Sequence, residues 1–257
     1  MKIFHYIVRL KNRFFKRKAF PSLKGLYQQQ FKRLSDQAQQ TNKRFTLDKK
    51  DVQLYVKDAT NQTHFDRHYI YHPAWATRII VAAKTTLHVD ISSTLHFCSM
   101  LSAIVPVRFY DYRPAALVLS GLTCDAADLT ALPFEDHSIP SLSCMHTVEH
   151  IGLGRYGDPI DYDGDLKAMK ELARVLAVGG NLLFVVPVGH ISVIHFNGHR
   201  VYHPDAVMSV FKEEGLELNE FVLIPEDAHD GGLVKNPGTE LIEKQTYACG
   251  CFWYTKS

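Results

Sequence analysis

A chain of 257 residues, 46% of them hydrophobic, can bury one substantial core, and its formal charge of +2 gives no case for a nucleic-acid partner. No run approaches the roughly 20 apolar residues of a spanning helix, and the N-terminus lacks a cleavage site of small residues, so a cytoplasmic protein is expected. Cys98, Cys124, Cys144, Cys249 and Cys251 are odd in number and contain no C-x-x-C pair, the usage of a reducing compartment; Cys249 and Cys251 share one strand face, where packing is expected over metal or redox use.

Ten Lys or Arg residues precede the first acid, Asp36. On a helical wheel Ile3, Phe4, Ile7, Leu10, Phe14 and Phe15 share one broad side with Tyr6 and Val8, while Lys2, Arg9, Arg13 and Lys16 take the other. Over residues 1–20 this basic amphipathic helix suits either an anionic membrane surface or packing on its own domain or a partner. Residues 1–63 read as a basic extension and linker, with a short strand at the Val52, Leu54, Val56 alternation. The domain proper is expected over 64–257. His64 to Pro73, rich in aromatic residues and histidine, reads as a lid over a ligand or as packing where the domain begins, and a helix is expected from Trp75 to Lys84.

Leu87 to Ile91 reads as the first core strand, followed by the glycine-free turn Ser92-Ser93-Thr94, whose hydroxyls can cap a helix from Ser93 to Ala103. Val107 to Asp111 is the next strand, and Ser120 to Asp128 carries a third. Pro133 bars helix through Leu132-Pro133-Phe134, and Ile139 to Met145 is short and apolar, a buried strand. From Asp165 the period becomes helical, with Leu166, Met169, Leu172, Ala173 and Leu176 on one face; Asp163 or Asp165 caps the start, and Gly179-Gly180 is expected to end the helix. Asn181 to Val188 is apolar on both faces. Strand, helix, buried strand implies a parallel α/β sheet. Asp205 caps a further helix through Phe211, ended by Gly215, and Leu216 to Ile224 and Gln245 to Tyr254 supply the last two strands.

Asp128-x-x-x-Leu132-Pro133-Phe134, then Glu149-His150, then Glu171-Leu-x-Arg-Val-Leu-x-x-Gly-Gly180 before a hydrophobic strand, resembles the second half of a class I S-adenosylmethionine (SAM)-dependent methyltransferase; the resemblance spans roughly Leu87 to Tyr254. It implies a Rossmann-like α/β fold: a seven-stranded sheet with helices on both faces, closed by an antiparallel hairpin, here behind a basic helical N-terminal extension. It also implies SAM as cofactor, with Asp90 and Ser92 at the first strand tip and Asp111, 21 positions beyond Asp90, on the ribose. Asp128, with Asp125 competing, takes the adenine amino group, beside Leu129 and His146. Gly152 to Pro159 and Phe196 to Arg200 resemble, more narrowly, an uncharacterised methyltransferase-like family associated with bacterial surface-polysaccharide genes.

A hydroxyl acceptor needs its proton removed as a methyl group arrives, and histidine does this near neutrality, so His150 or His146 is the candidate base with Glu149 orienting it. The same His146-Thr-Val-Glu-His150 string satisfies H-x-x-E-H, a zinc-hydrolase signature. The loop of Arg155, Tyr156, Asp158, Asp161 and Asp163 suits sugar hydroxyls or, alternatively, a divalent cation. His195, Asn197, His199 and Arg200 make a second acceptor wall, although Arg200 equally suits a tie to the acids near Asp158. The expected function is O-methylation of a sugar of a surface polysaccharide or its lipid- or nucleotide-linked precursor, at the inner membrane face; the competing reading is a non-catalytic scaffold. Asp90, Asp111 and Asp128 are expected to converge on one nucleoside-shaped crevice.

Overall fold

The structure is a computed structural model that describes residues 23–40, 44–55 and 57–257; the amphipathic stretch expected over 1–20 lies outside them. The chain divides into two compact units, Met1–His64 and Phe65–Ser257. In the first, α1 (Leu23–Gln39) is a polar helix with an exposed Lys32–Asp36 pair one turn apart at 2.7 Å, and Tyr27 donates to the carbonyl of Tyr55 at 3.4 Å. Val52 to Tyr55 is exposed and joins no ladder, so the short strand expected there does not form among the described residues; alternation alone cannot pair its N–H groups.

In the second unit α2 (Arg67–Ala82) starts eight residues ahead of the expected Trp75. The carboxylate of Asp66 caps it by accepting the Tyr69 N–H at 3.2 Å, and Pro73 is carried inside the helix. The His64 to Pro73 segment is therefore largely the first half of a helix. Thr94, with an Oγ1 accepting the Phe97 N–H, caps α3 (Leu95–Leu101), shorter than the predicted Ser93 to Ala103.

The parallel strands are β1 (His88–Ile91), β2 (Val107–Asp111), β3 (Leu122–Ala126), β4 (Ile139–Met145) and β5 (Leu176–Val188). Helix α4 (Gly164–Val175) precedes β5; a small antiparallel hairpin of β6 (Val193–His195) and β7 (His199–Val201) follows it. Then come α5 (Pro204–Glu213), β8 (Leu216–Ile224), the two-residue β9 (Val234–Lys235), α6 (Thr239–Glu243) and β10 (Ala248–Lys256). The sheet order is β3-β2-β1-β4-β5-β10-β8-β9, with β10 antiparallel to both β5 and β8. The edge strand β9 makes the sheet eight-stranded rather than seven.

Both sheet faces are covered. Leu182, Phe184, Val186 and Val188 of β5 pack with Met169 and Leu172 of α4 and Phe211 of α5; the alternate Leu183 and Val185 pack with Trp75 and Ile80 of α2 and Phe97 and Leu101 of α3. Each fully buried Leu or Phe contributes roughly 2 kcal/mol. Helix α4 ends at Val175, before Gly179-Gly180, because those glycines sit inside β5: Gly179 has φ +73°, and a Cβ on Gly180 would lie 2.7 Å from the Ala177 carbonyl and 3.1 Å from those of Ile139 and Pro140. They make the irregularity where β4 meets β5 rather than a helix cap.

From β1 the chain runs outward to β2 and β3, then returns to place β4 on the other side of β1. In an open α/β sheet that reversal leaves a crevice outside the carboxyl ends of the two central strands, which is where ligands bind.

Candidate functional site

At the carboxyl end of β1 the turn keeps its path without glycine. Ser92 itself adopts φ +56°, its Oγ donates to the Tyr110 carbonyl at 3.2 Å, and its own carbonyl accepts Thr147 Oγ1 at 2.8 Å. Ser93 is buried, its Oγ accepting the Met145 N–H at 3.0 Å. Both side chains are thereby turned onto β2 and β4.

Asp90 does not reach a ligand. It is fully buried, its carboxylate accepting the Ser93 N–H at 2.9 Å and the Ser143 hydroxyl, and burial, against those hydrogen bonds, raises it to about 6. The expected convergence of three carboxylates on one crevice is corrected on this point: Asp90 fastens the turn to β4. Asp111, half-buried at the tip of β2, spends Oδ1 on the Arg113 N–H at 2.7 Å, and Asp128, exposed beyond β3, spends Oδ1 on the Thr130 N–H and hydroxyl at 2.8 and 2.7 Å. In each the hydrogen bonds described fall on Oδ1, leaving Oδ2 to accept from a hydroxyl or amino group. Leu129 is buried in the core and would offer packing only.

Beside this rim, beyond the ends of β4 and β10, lies a pocket of about 380 Å³ lined by Asp66, His68, Tyr69, His146, Glu149, His150, Arg155, Tyr156, His199 and Tyr247. Chain order cannot suggest this assembly: α2 supplies His68 and Tyr69, the turn after β4 supplies His146 to His150, and the loop before β10 supplies Tyr247. His146, at φ +56°, directs Nδ1 to Glu149 Oε1 at 2.9 Å, and its ring stacks on His68 with centroids 5.2 Å apart. Residues 148–150 form a single 3-10 turn, and the two histidines bind different partners, so the helical face that an H-x-x-E-H zinc hydrolase requires is not formed.

His150 places Nδ1 2.7 Å from the Gly198 carbonyl, which also accepts Arg155 Nη1 at 3.0 Å. Arg155 Nη1 also lies 3.2 Å from Nδ1, but the shorter contact is to a carbonyl that only accepts, which assigns the proton to Nδ1 and the lone pair to Nε2, 3.8 Å from Glu149 Oε1. Burial holds His150 below its ordinary value, against the attraction of Glu149, with Arg155 adding to the depression. Burial also lowers His199 and brings His68 to about 4, so these rings are neutral near pH 7.

Of the predicted acceptor residues, the pocket gathers Arg155, Tyr156 and His199. The Arg113 and Arg155 guanidinium groups lie 4.6 and 5.1 Å from the Tyr156 ring centroid. His195 and Asn197 are exposed on the β6–β7 hairpin, where His195 reaches the site only through the His199 ring, 5.2 Å away. Two expectations are corrected. Asp158 folds back onto the N–H groups of Gly152, Gly154 and Tyr156 at 2.8 to 3.3 Å, shaping its own loop. Arg200 is buried and donates to the carbonyls of Ile151, Tyr162 and Asp161 at 2.6, 3.0 and 3.4 Å, clamping the hairpin to the 152–164 loop instead of facing an acceptor. Of the loop acids offered for a divalent cation, Asp161 is paired with Lys167 at 2.5 Å.

His68, Tyr69 and Tyr247 are the site residues that sequence reasoning missed. Asp66 carried a usable signal, being a capping carboxylate three residues ahead of Tyr69, but the sequence reading takes His64 to Pro73 as a lid or as packing and starts the helix only at Trp75.

A family model described as Caenorhabditis protein of unknown function, DUF268, matches residues 137–216, from just before β4 to the first residue of β8. No curated protein matches the chain. Solved structures do. A candidate methyltransferase of Bacillus halodurans aligns at a TM-score of 0.50 and 16% identity over 72% of this chain and 98% of its own. A candidate sarcosine dimethylglycine methyltransferase of Galdieria sulphuraria gives 0.50 at 13% identity over 72% and 85%. The 1,6-didemethyltoxoflavin-N1-methyltransferase of Burkholderia thailandensis, solved with 1,6-didemethyltoxoflavin and S-adenosylhomocysteine, gives 0.50 at 9% identity over 72% and 79%. These likenesses show the fold alone: a Rossmann-like α/β sheet of the kind these solved structures share.

Proposed function

We propose that the chain is a SAM-dependent methyltransferase that methylates a hydroxyl of a sugar or glycolipid acceptor held in the histidine-lined pocket. The observation that carries this reading is the placement of His150: a ring that burial keeps neutral, its Nδ1 2.7 Å from the Gly198 carbonyl, which assigns the proton to that nitrogen and the lone pair to Nε2. When bound, SAM supplies a methyl group on a positively charged sulfur, ready for in-line displacement by an oxygen nucleophile. Asp111 Oδ2 suits a pair of ribose hydroxyls and Asp128 Oδ2 an exocyclic amino group, while Ser92 and Ser93, with side chains turned away, leave the backbone of the turn approachable.

The remaining work belongs to positioning and proton removal. As the acceptor oxygen gains its methyl group, its proton passes to His150 Nε2, and Glu149, 3.8 Å from that nitrogen, stabilises the imidazolium that results. Tyr69, Tyr156 and Tyr247 offer aromatic faces to a sugar ring and Asp66, Arg155 and His199 offer hydrogen bonds to its hydroxyls, the amphipathic mixture that a carbohydrate requires. Among the described residues no helix is long and apolar enough to cross a membrane, so presentation at the inner membrane face would fall to residues 1–20.

Titration calorimetry with SAM, followed by assay of S-adenosylhomocysteine release against nucleotide- and lipid-linked sugars, tests the reading. Micromolar cofactor affinity and sugar-dependent release support it. Absence of binding at millimolar SAM overturns it in favour of a scaffold.

A further inference from the structure

Among the described residues, Nε2 of His146 and Oε2 of Glu149, both residues of the pocket lining, and Nε2 of His72, whose ring packs against that of His146, are buried without a partner. Leaving such a group unpaired costs roughly 1–3 kcal/mol, so a nitrogen of this kind that faces other ligating side chains calls for a ligand. His146 is the informative one. Its Nδ1 is held by the Glu149 carboxylate at 2.9 Å, which leaves Nε2 as the free nitrogen. A carboxylate behind one imidazole nitrogen is how a protein orients the other towards a metal and raises its basicity. The His68 ring is held between two others, stacked on His146 and on Tyr247 with centroids 5.2 and 5.4 Å apart.

Cys249 lies behind these two rings, fully buried on β10. The ligating atoms offered by His68, His146 and Cys249 all lie within 4.8 Å of one another. Zinc–nitrogen and zinc–sulfur bonds set tetrahedral ligands about 3.3–3.8 Å apart, so closure needs adjustments of about 1 Å, the scale of small side-chain rotations.

We propose that His68, His146 and Cys249 form a transition-metal site, specific for zinc, with Glu149 as the residue that orients His146 and with the fourth position open to the pocket. Two imidazoles and one thiolate suit zinc, and three protein ligands with one position left over is the composition of a site that binds a small molecule rather than of a closed structural one. The ligand set differs from the H-x-x-E-H arrangement, since His150 is turned to Gly198 and the sulfur comes from the last strand. Binding forms a metal–sulfur bond and releases the Cys249 thiol proton to solvent, with no change of oxidation state. The site does not depend on methyl transfer and would exist in a scaffold as well.

The full-length chain, stripped with a chelator and loaded with cobalt(II) as a coloured stand-in for zinc, decides the matter. The expected result is about one equivalent per chain, tetrahedral visible absorption and a near-ultraviolet thiolate-to-metal band. C249S should lose that band. E149Q should weaken metal affinity by about 10- to 100-fold. C251S should retain both the band and the affinity, although its sulfur lies 4.0 Å from Cys249. Lack of metal uptake by the wild-type chain overturns the site, as does a band that survives C249S or disappears in C251S. Should C249S fail to fold, the wild-type band and its persistence in C251S still decide for the site, and their absence against it.

Discussion

His150 Nδ1 lies 2.7 Å from the carbonyl oxygen of Gly198, a contact that ties the turn after β4 to the tip of the β6–β7 hairpin, 48 residues away. Because that oxygen cannot donate, the contact favours the tautomer with its proton on Nδ1. H150Q should therefore lower kcat of methyl transfer by about 10²- to 10⁴-fold while leaving SAM affinity within a factor of about three, as expected of a base that acts on the acceptor alone. Loss of SAM binding in parallel with kcat would show instead that the residue holds the cofactor.

The pH dependence has a definite sign. Only the neutral ring accepts a proton, and burial holds His150 below its ordinary 6.5. The acid limb of kcat/KM should thus fall at a pH lower than that of a free imidazole, with activity flat from there to neutrality. An acid limb above pH 6.5 would contradict a buried base.

Arg200 holds the β6–β7 hairpin against the 152–164 loop. Its guanidinium is buried beside Asp165 at 3.5 Å and supplies three loop carbonyls. R200Q leaves those carbonyls and a buried carboxylate short of partners, and should destabilise the fold by about 3 kcal/mol in urea unfolding. R200K, which lacks the planar fork, should recover only part of this. An unchanged midpoint in both variants would remove the clamp.

Most of the sheet was legible because short apolar runs between turn signals announce strands: Ile139 to Met145 and Leu216 to Ile224 match the expected spans residue for residue. What misled was glycine, which marks a change of backbone geometry without saying which one. Gly179-Gly180 read as a helix stop and is a strand irregularity. The site was half legible. His146, Glu149 and His150 are neighbours in sequence, so their grouping followed from a single motif. Their partners come from far along the chain, His68 about 80 residues before on α2 and Tyr247 and Cys249 about 100 residues after, brought in by β10 running back between β5 and β8, and no local spacing encodes that. Arg200 and Asp158 have the chemistry of sugar ligands but lie among backbone carbonyls and N–H groups, which use it first.

Gly152 tests whether the 152–164 loop is a rigid part of the site. Its φ is +78°, and a Cβ would fall 2.0 Å from the Asp161 carbonyl oxygen, so two strands of the loop cross there in contact. G152A should cost about 1–3 kcal/mol of stability through that strain and, by displacing Arg155 and Tyr156, raise KM for the acceptor more than it lowers kcat. A variant with normal stability would mean that the loop opens without cost.

Stability against pH tests the buried chain of hydrogen bonds between β1 and β4. His88 Nδ1 meets Ser141 Oγ and its Nε2 meets Ser143 Oγ, both at 2.8 Å, and Ser143 donates to Asp90. Burial lowers His88 from 6.5 to about 3 and raises Asp90 from 3.8 to about 6. Between pH 6.5 and 3 the unfolded chain gains a proton at His88 that the folded chain does not, so stability falls as the solution is acidified. Between pH 6 and 3.8 the folded chain holds a proton at Asp90 that the unfolded chain does not, so this group makes stability rise on acidification. In the shared window the two oppose each other. D90N, which keeps the shape and removes the compensating carboxyl, should therefore lose stability more steeply than wild type from pH 6 to pH 4 in chemical unfolding. Parallel stability curves for the two proteins would show that Asp90 is already ionised in the fold, as the Ser93 and Ser143 hydrogen bonds alone would favour.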